Sequence, residues 1–242
     1  MNLPIQNKIN SNQLENIFLE NFAEFIKEFY EMQSLFLAGL YKRYGSIETA
    51  NIILCLAKNS HLQILRLREC DLDRDISLNN LFLNLQNINN ISLKIVDIVN
   101  TTSIPKETAR RKIKDLIKKD FVIIKQKKEY RWNLLSKHKN DYNKIINEEI
   151  VSLSKFIKKF LPHAHLNMDI KEIENEIKSK FSFYWYHFLS SQLQWLKIWQ
   201  DKLKDNELLI IVLQAVIPTL QFANKSQQGI NAENLFRVIG RV

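Results

Sequence analysis

Apolar residues recur at three- and four-residue steps from Ile17 to Tyr44, through Phe18, Phe22, Phe25, Ile26, Phe29, Tyr30, Phe36, Leu37 and Leu40. That period predicts one long amphipathic helix, or two consecutive ones, over about Gln13 to Tyr44. Gly45 is placed to end it as a left-handed cap. Ser46-Ile47-Glu48-Thr49 then leads into a run from Ile52 to Leu67 that is apolar on nearly every side, the pattern of a buried helix. An acidic, polar connection follows from Cys70 to Asn80. The C-terminal part has the same plan. A helix is predicted from Tyr142 to Leu161, a loop around Pro162, and a strongly aromatic helix from Phe181 to Leu203. Asp205-Asn206-Glu207 then opens a second apolar helix, Leu208 to Phe222. A shift of 159 positions pairs Phe29 with Phe188, Phe36 with Trp195, Leu37 with Leu196, Leu40 with Trp199 and Glu48 with Glu207. Either a diverged duplication or shared heptad-like spacing produces such pairs.

Between these helical parts the pattern changes. Ser92 is placed to cap a helix from Leu93 to Val99, and Asn100-Thr101-Thr102-Ser103 reads as a polar turn. Ile104 is an apolar anchor, and Pro105 suits a helix start, where its missing N–H costs nothing. Ala109, Ile113, Leu116 and Ile117 then form one apolar stripe, while the opposite arc carries Glu107, Arg110, Arg111, Lys114 and Lys118. After Asp120, Phe121-Val122-Ile123-Ile124 reads as a strand, Gln126-Lys127-Lys128 as a lysine-rich hairpin tip, and Glu129-Tyr130-Arg131-Trp132 as the returning strand. Helix, short turn, helix and basic hairpin make a winged helix-turn-helix. The expected fold is mainly α: helical units over 1–80 and 138–242 flank a winged helix-turn-helix over 81–137.

Charge sharpens this division. The chain of 242 residues has a net charge of +9, and the 50 residues from Ile91 to Asn140 hold 14 basic against five acidic side chains, which is the whole excess. Phosphate backbones are the commonest reason to concentrate cations in this way, because lysine and arginine release condensed counterions there; a solvated lysine-rich surface is the plainer alternative. Four glycines and four prolines exclude collagen-like and turn-rich all-β classes. Two cysteines, Cys55 and Cys70, make no disulfide framework. The first twenty residues lack a signal-peptide profile, and the longest apolar stretch, Leu208 to Leu220, is too short to span a bilayer, so a cytoplasmic protein with no membrane partner is expected.

The run from Ile91 to Val122, ISLKIVDIVNTTSIPKETARRKIKDLIKKDFV, resembles the DNA-binding winged helix of bacterial transcriptional regulators of the GntR and MarR groups. Thr102, Ile104, Pro105, Thr108, Ala109, Arg110, Arg111, Ile113 and Leu116 occupy the places of that family's turn and recognition helix. The resemblance, which covers about 50 residues, implies a recognition helix over 105–119 and a wing over 125–131. It implies that Thr108 meets a phosphate and that Lys106, Glu107, Arg110 and Arg111 lie in or beside the major groove. Lys127 and Lys128 would reach the neighbouring backbone or minor groove. Thr102, Lys114, Lys118, Lys125 and Arg131 complete the expected DNA-binding set. Such families carry glycine in the turn and after the recognition helix, where this chain has Thr102 or Ser103 and Asp120.

Other chemistry is thin. Asp71-x-Asp73-x-Asp75 begins like a calcium loop, but Ile76 stands where glycine is needed and Phe82 where glutamate is needed. His163 and His165 near Asp169 lack a third ligand in register. No nucleophile elbow or distinctive His-Asp or Cys-His spacing occurs, so neither an enzyme nor a cofactor is expected. The aromatic residues Phe181, Phe183, Tyr184, Trp185, Tyr186, Phe188, Trp195 and Trp199 are too many for one helix face. They serve core packing, a dimer interface or a small-molecule effector pocket, in that order of preference. The expectation is a DNA-binding transcriptional regulator, homodimeric through its helical flanks, with double-stranded DNA as partner and a small-molecule effector as a further one. The alternative is a non-enzymatic helical interaction protein whose winged helix binds RNA or another protein.

Overall fold

A computed structural model gives the fold and describes residues 11–88, 92–125, 128–134 and 138–225. The described chain is mainly helical with one small antiparallel sheet. Its elements are α1 (Ser11–Glu20), α2 (Phe22–Tyr44), α3 (Ile47–Cys70), α4 (Leu81–Asn87), α5 (Ile95–Thr102), α6 (Lys106–Lys118), β1 (Val122–Lys125), β2 (Glu129–Trp132), α7 (Lys139–Phe160), α8 (Ile170–Ser179), α9 (Phe181–Leu203) and α10 (Asn206–Lys225). A 3-10 turn, Leu161–Ala164, follows α7. The N-terminal amphipathic stretch is two helices, broken at Asn21.

The buried helix expected after Ser46 is α3, and it is the hub. Ser46 caps it by accepting the Thr49 N–H at 3.1 Å. Ile47 and the whole run from Thr49 to Ala57 are buried, because α3 packs against α2, α9, α5, α6 and β2 at once. One buried apolar cluster therefore runs from Phe36 through Ile98, Ile113 and Trp132 to Leu213. The three stretches 1–80, 81–137 and 138–242 share this core instead of each closing its own.

The shift of 159 residues extends to whole elements. Helix α1 begins at 11 and α8 at 170, α2 at 22 and α9 at 181, α3 at 47 and α10 at 206; the first two pairs also match in length. The breaks agree as well. Gly45 ends α2 at φ 79° and Lys204, its counterpart, ends α9 at φ 59°. Contacts exchange as a two-fold axis requires: the Phe29–Trp195 ring contact (6.5 Å, 84°) becomes Phe188–Phe36 (5.3 Å, 79°) when the halves are swapped. Gln33 and Gln192, a matched pair midway between these contacts, are both buried. The aromatic stretch is thus used mainly within the chain. Phe181 and Trp185 are buried, Tyr184, Phe188, Trp195 and Trp199 pack against the core, and Phe183 is exposed.

Two details of the central segment differ from expectation. Ser92 does not cap a helix; its hydroxyl bonds Glu129 Oε2 at 2.5 Å. Leu93 instead forms a two-bond bridge to Tyr130, with N···O distances of 2.9 and 2.8 Å, and α5 starts only at Ile95. The polar turn is also shorter. Asn100 to Thr102 belong to α5, and the turn is Ser103 to Pro105.

Candidate nucleic-acid interface

Helix α5 is started by the Asp97 carboxylate, which accepts the Lys94 N–H at 3.0 Å. At its other end the Thr102 hydroxyl donates to the Ile98 carbonyl at 2.7 Å and accepts the Ile104 N–H at 3.4 Å. Thr102 is fully buried. It shapes the turn from inside, and its expected place among the DNA contacts is corrected accordingly. Ser103 then takes φ 56° and Asp120, after α6, φ 65°. Asp120 and one of Thr102 or Ser103 stand where the resembled family carries glycine; Ser103 and Asp120 are the residues that adopt the left-handed backbone glycine favours, while Thr102 is helical. Asp120 offsets that cost with bonds to Asn133, whose Nδ2 donates to its side chain at 2.8 Å and its carbonyl at 3.1 Å.

Ala109, Ile113 and Leu116 are the buried stripe of α6, turned toward α3 and α5. On the other side Lys106, Glu107, Arg110, Arg111, Lys114 and Lys118 are exposed, with Thr108 half-buried at the margin. Arg110 Nη1 pairs with Glu107 Oε1 at 2.6 Å, and Lys118 with Asp115 at 3.8 Å. Both are exposed pairs that a phosphate can displace at little cost. Lys112 is different. Its ammonium donates to Ser46 Oγ at 2.9 Å and lies 3.3 Å from Glu48 Oε2. It clamps α6 to the start of α3. That role was readable from the phase of the helix, because 112 flanks the stripe 109, 113, 116. Lys119, exposed at the end of the same face, was not among the expected contacts.

The hairpin pairs Val122 with Trp132 and Lys125 with Glu129. Val122 and Trp132 are buried, Trp132 against the Tyr142 ring (5.2 Å, 71°). Phe121 stacks on His138 (4.0 Å, 17°) and meets Tyr44 edge-on (5.0 Å). Aromatic contacts from α2 and α7 thus hold the base of the hairpin. Lys125 and Lys128 are exposed at its tip; Lys127 lies outside the described residues. Arg131 turns away from the tip. It is half-buried and donates to the Leu85 carbonyl of α4, and burial lowers its pKa from the ordinary value. Arg131 therefore ties β2 to α4, in place of the expected DNA contact.

A cavity of about 550 Å³ opens between α2 and α7, lined by Met32, Leu35, Phe36 and Phe188. At its floor Arg43 Nη2 and Glu149 Oε1 are 2.7 Å apart. Burial, opposed by Arg43, pushes the Glu149 carboxyl up to about 7. Among the described residues no group of three or more His, Cys, Asp or Glu side chains is arranged to hold a metal, and no helix is long and apolar enough to cross a membrane. Comparisons with protein-family models, with curated proteins and with solved structures return no match to the chain.

Proposed function

We propose that the protein is a DNA-binding transcriptional regulator in which Leu93, α5, α6 and the hairpin act together as a winged helix-turn-helix. On this reading α6 enters the major groove and the hairpin tip lies on the backbone. One observation carries it: charge on α6 is sorted by direction. Ala109, Ile113 and Leu116 face the core, the single inward cation Lys112 is paired, and Lys106, Arg110, Arg111, Lys114 and Lys118 all project outward. A helix kept basic only for solubility has no need of this sorting beside a basic hairpin. The Leu93–Tyr130 bridge and the left-handed backbone at Ser103 and Asp120 support the same reading. Phosphate contacts would come from Thr108, Lys125 and Lys128, and base contacts from Lys106, Glu107, Arg110 and Arg111. Two copies pairing on a two-fold site would set their α6 helices roughly 34–36 Å apart.

Selection of duplexes from a random pool by the full chain tests the reading. A recovered motif is expected, palindromic if two copies pair, with affinity falling steeply as salt rises. Lys125→Ala should weaken all sequences alike and reduce the salt slope by about one. No duplex retained at low salt, with RNA or a protein retained instead, would favour a helical interaction protein.

A further inference from the structure

The cavity of about 550 Å³ between α2 and α7 contains a gap that the fold itself does not require. Every residue lining it lies in α2, α7 or α9, and one of them is Gly39, in the interior of α2. Glycine is a poor helix former, so a glycine there needs a reason. The two usual reasons are absent. Its backbone is not left-handed, as that of Gly45 is, and a Cβ at position 39 would meet nothing within 4 Å. Under the shift of 159 its counterpart in α9 is Ile198, so the twin helix carries a large side chain at the same place.

The missing side chain leaves room beside the Arg43 guanidinium. Arg43 Nε donates to the Gly39 carbonyl at 3.3 Å and Nη2 donates to Glu149 Oε1 at 2.7 Å, while Nη1 has no acceptor among the described residues. The Arg43 and Glu149 side chains are 16% and 12% exposed, so both are largely withdrawn from water. They respond differently. Burial pushes the Glu149 carboxyl up to about 7, toward its neutral form, whereas a guanidinium stays charged. The charge left over at the floor is positive, with donors to spare. The other charged residues of the lining, Lys42, Asp141, Lys144 and Glu148, are exposed to solvent. Away from Arg43 the wall turns apolar, with Met32, Leu35, Phe36 and Phe188. Seven residues separate Gly39 from Met32, about 10 Å of helix rise.

We propose that this cavity binds a small molecule made of a carboxylate and an extended apolar tail, the carboxylate resting on Arg43 in the gap beside Gly39 and the tail lying against Met32, Leu35, Phe36 and Phe188. A planar carboxylate matches the fork of a guanidinium, and a medium-chain acid such as octanoate has the length of the apolar stretch. The volume falls within the range of small-ligand sites, about 300–1,000 Å³. The site goes beyond the DNA-binding reading and does not rest on it.

Isothermal titration of the full chain at pH 7 tests it with three probes that share one tail: octanoate, 1-octanol and octylamine. Octanoate should bind at least about tenfold more tightly than either of the others. Gly39→Leu fills the gap; leucine is the better helix former, so Tm should not fall, and octanoate should bind at least about tenfold more weakly. Glu149→Gln removes the carboxylate that competes for Arg43 and should bind octanoate at least as tightly as the wild type. No binding heat with octanoate would overturn the proposal. So would 1-octanol binding equally well, which would make the cavity a purely apolar groove, or octylamine binding best, which would assign it to the acidic side chains. Undiminished octanoate binding by a folded Gly39→Leu protein would overturn it too.

Discussion

Arg111 and Lys112 are adjacent cations with opposite tasks, and replacing each by alanine separates them. The Lys112 ammonium bonds Ser46 Oγ at 2.9 Å and approaches Glu48 at 3.3 Å, with the two charged side chains 21% and 33% exposed. A charge-assisted bond of this kind is worth about 1.5–3 kcal/mol when sheltered, and partial exposure reduces it to about 1 kcal/mol. Ser46 keeps its bonds to Thr49, so no buried polar atom is orphaned. In a chain of 242 residues that loss lowers Tm by about 2–4 °C. Arg111 is exposed and has no ion pair among the described residues, so Arg111→Ala should leave Tm unchanged while weakening specific DNA binding by about 1–3 kcal/mol. Thermal denaturation of the free proteins and fluorescence anisotropy on the selected duplex measure the two effects. The argument fails if Lys112→Ala weakens binding as much as Arg111→Ala does, or if Arg111→Ala is the variant that melts early.

Ser103→Gly removes a left-handed serine (φ 56°) and should stabilise the protein by about 0.5–1 kcal/mol by denaturant titration. Asp120→Gly should bring no such gain, because it also removes the bond to Asn133. Glu149, raised from 4.5 to about 7 by burial, binds its proton more tightly in the folded state than in the unfolded one. Its contribution is therefore complete below pH 4.5 and is lost as pH rises to about 7, a decline of up to about 3 kcal/mol. Urea titrations from pH 5 to 8 should show this fall in the wild type and a flatter profile in Glu149→Gln; equal profiles would refute the burial argument.

The features legible in the sequence are those that repeat with a helical period over many residues. The phase of α6 follows from Ala109, Ile113 and Leu116 alone, and the offset of 159 emerges from the aromatic positions of α2 and α9. Short elements escape. Helix α8 buries only Ile173 and Ile177 and is started by a reciprocal cap between Asp169 and Glu172, so its sequence resembles a charged loop. The start of α5 escapes the pattern because Ser92 can cap a helix, yet tertiary structure commits it to Glu129 and commits Leu93 to Tyr130. Thr102 and Arg131 show the same limit at the candidate site. Residue type marks both as groups that can contact DNA. Only the tertiary structure reveals that the Thr102 hydroxyl is used by the Ile98 carbonyl and the Ile104 N–H, and that Arg131 Nη2 is used by the Leu85 carbonyl.

The symmetry of the helical frame and the asymmetry of the basic segment explain one another. Glu48, Ile52 and Cys55 lie along one side of α3, which packs on both α5 and α6; Glu48 meets Lys112 at 3.3 Å. Their counterparts on α10 are Glu207, Ile211 and Gln214. Ile52 is 0% exposed and Ile211 65%, so the same stripe is a filled seat on one helix and an open one on the other among the described residues. This is why α3 is apolar on nearly every side while α10 keeps Gln214 and Ala215 exposed. It also shows where the candidate interface obtains its rigidity. Helices α5 and α6 are too short to bury a core by themselves, and they close it on α3, a helix of the frame. The sheet is held in turn by Tyr44 through Phe121 and by Tyr142 through Trp132. The cations of α6 are thus presented on a surface whose orientation is set by both halves, with Tyr44 and Tyr142 standing between the hairpin and the Arg43–Glu149 contact of α2 with α7.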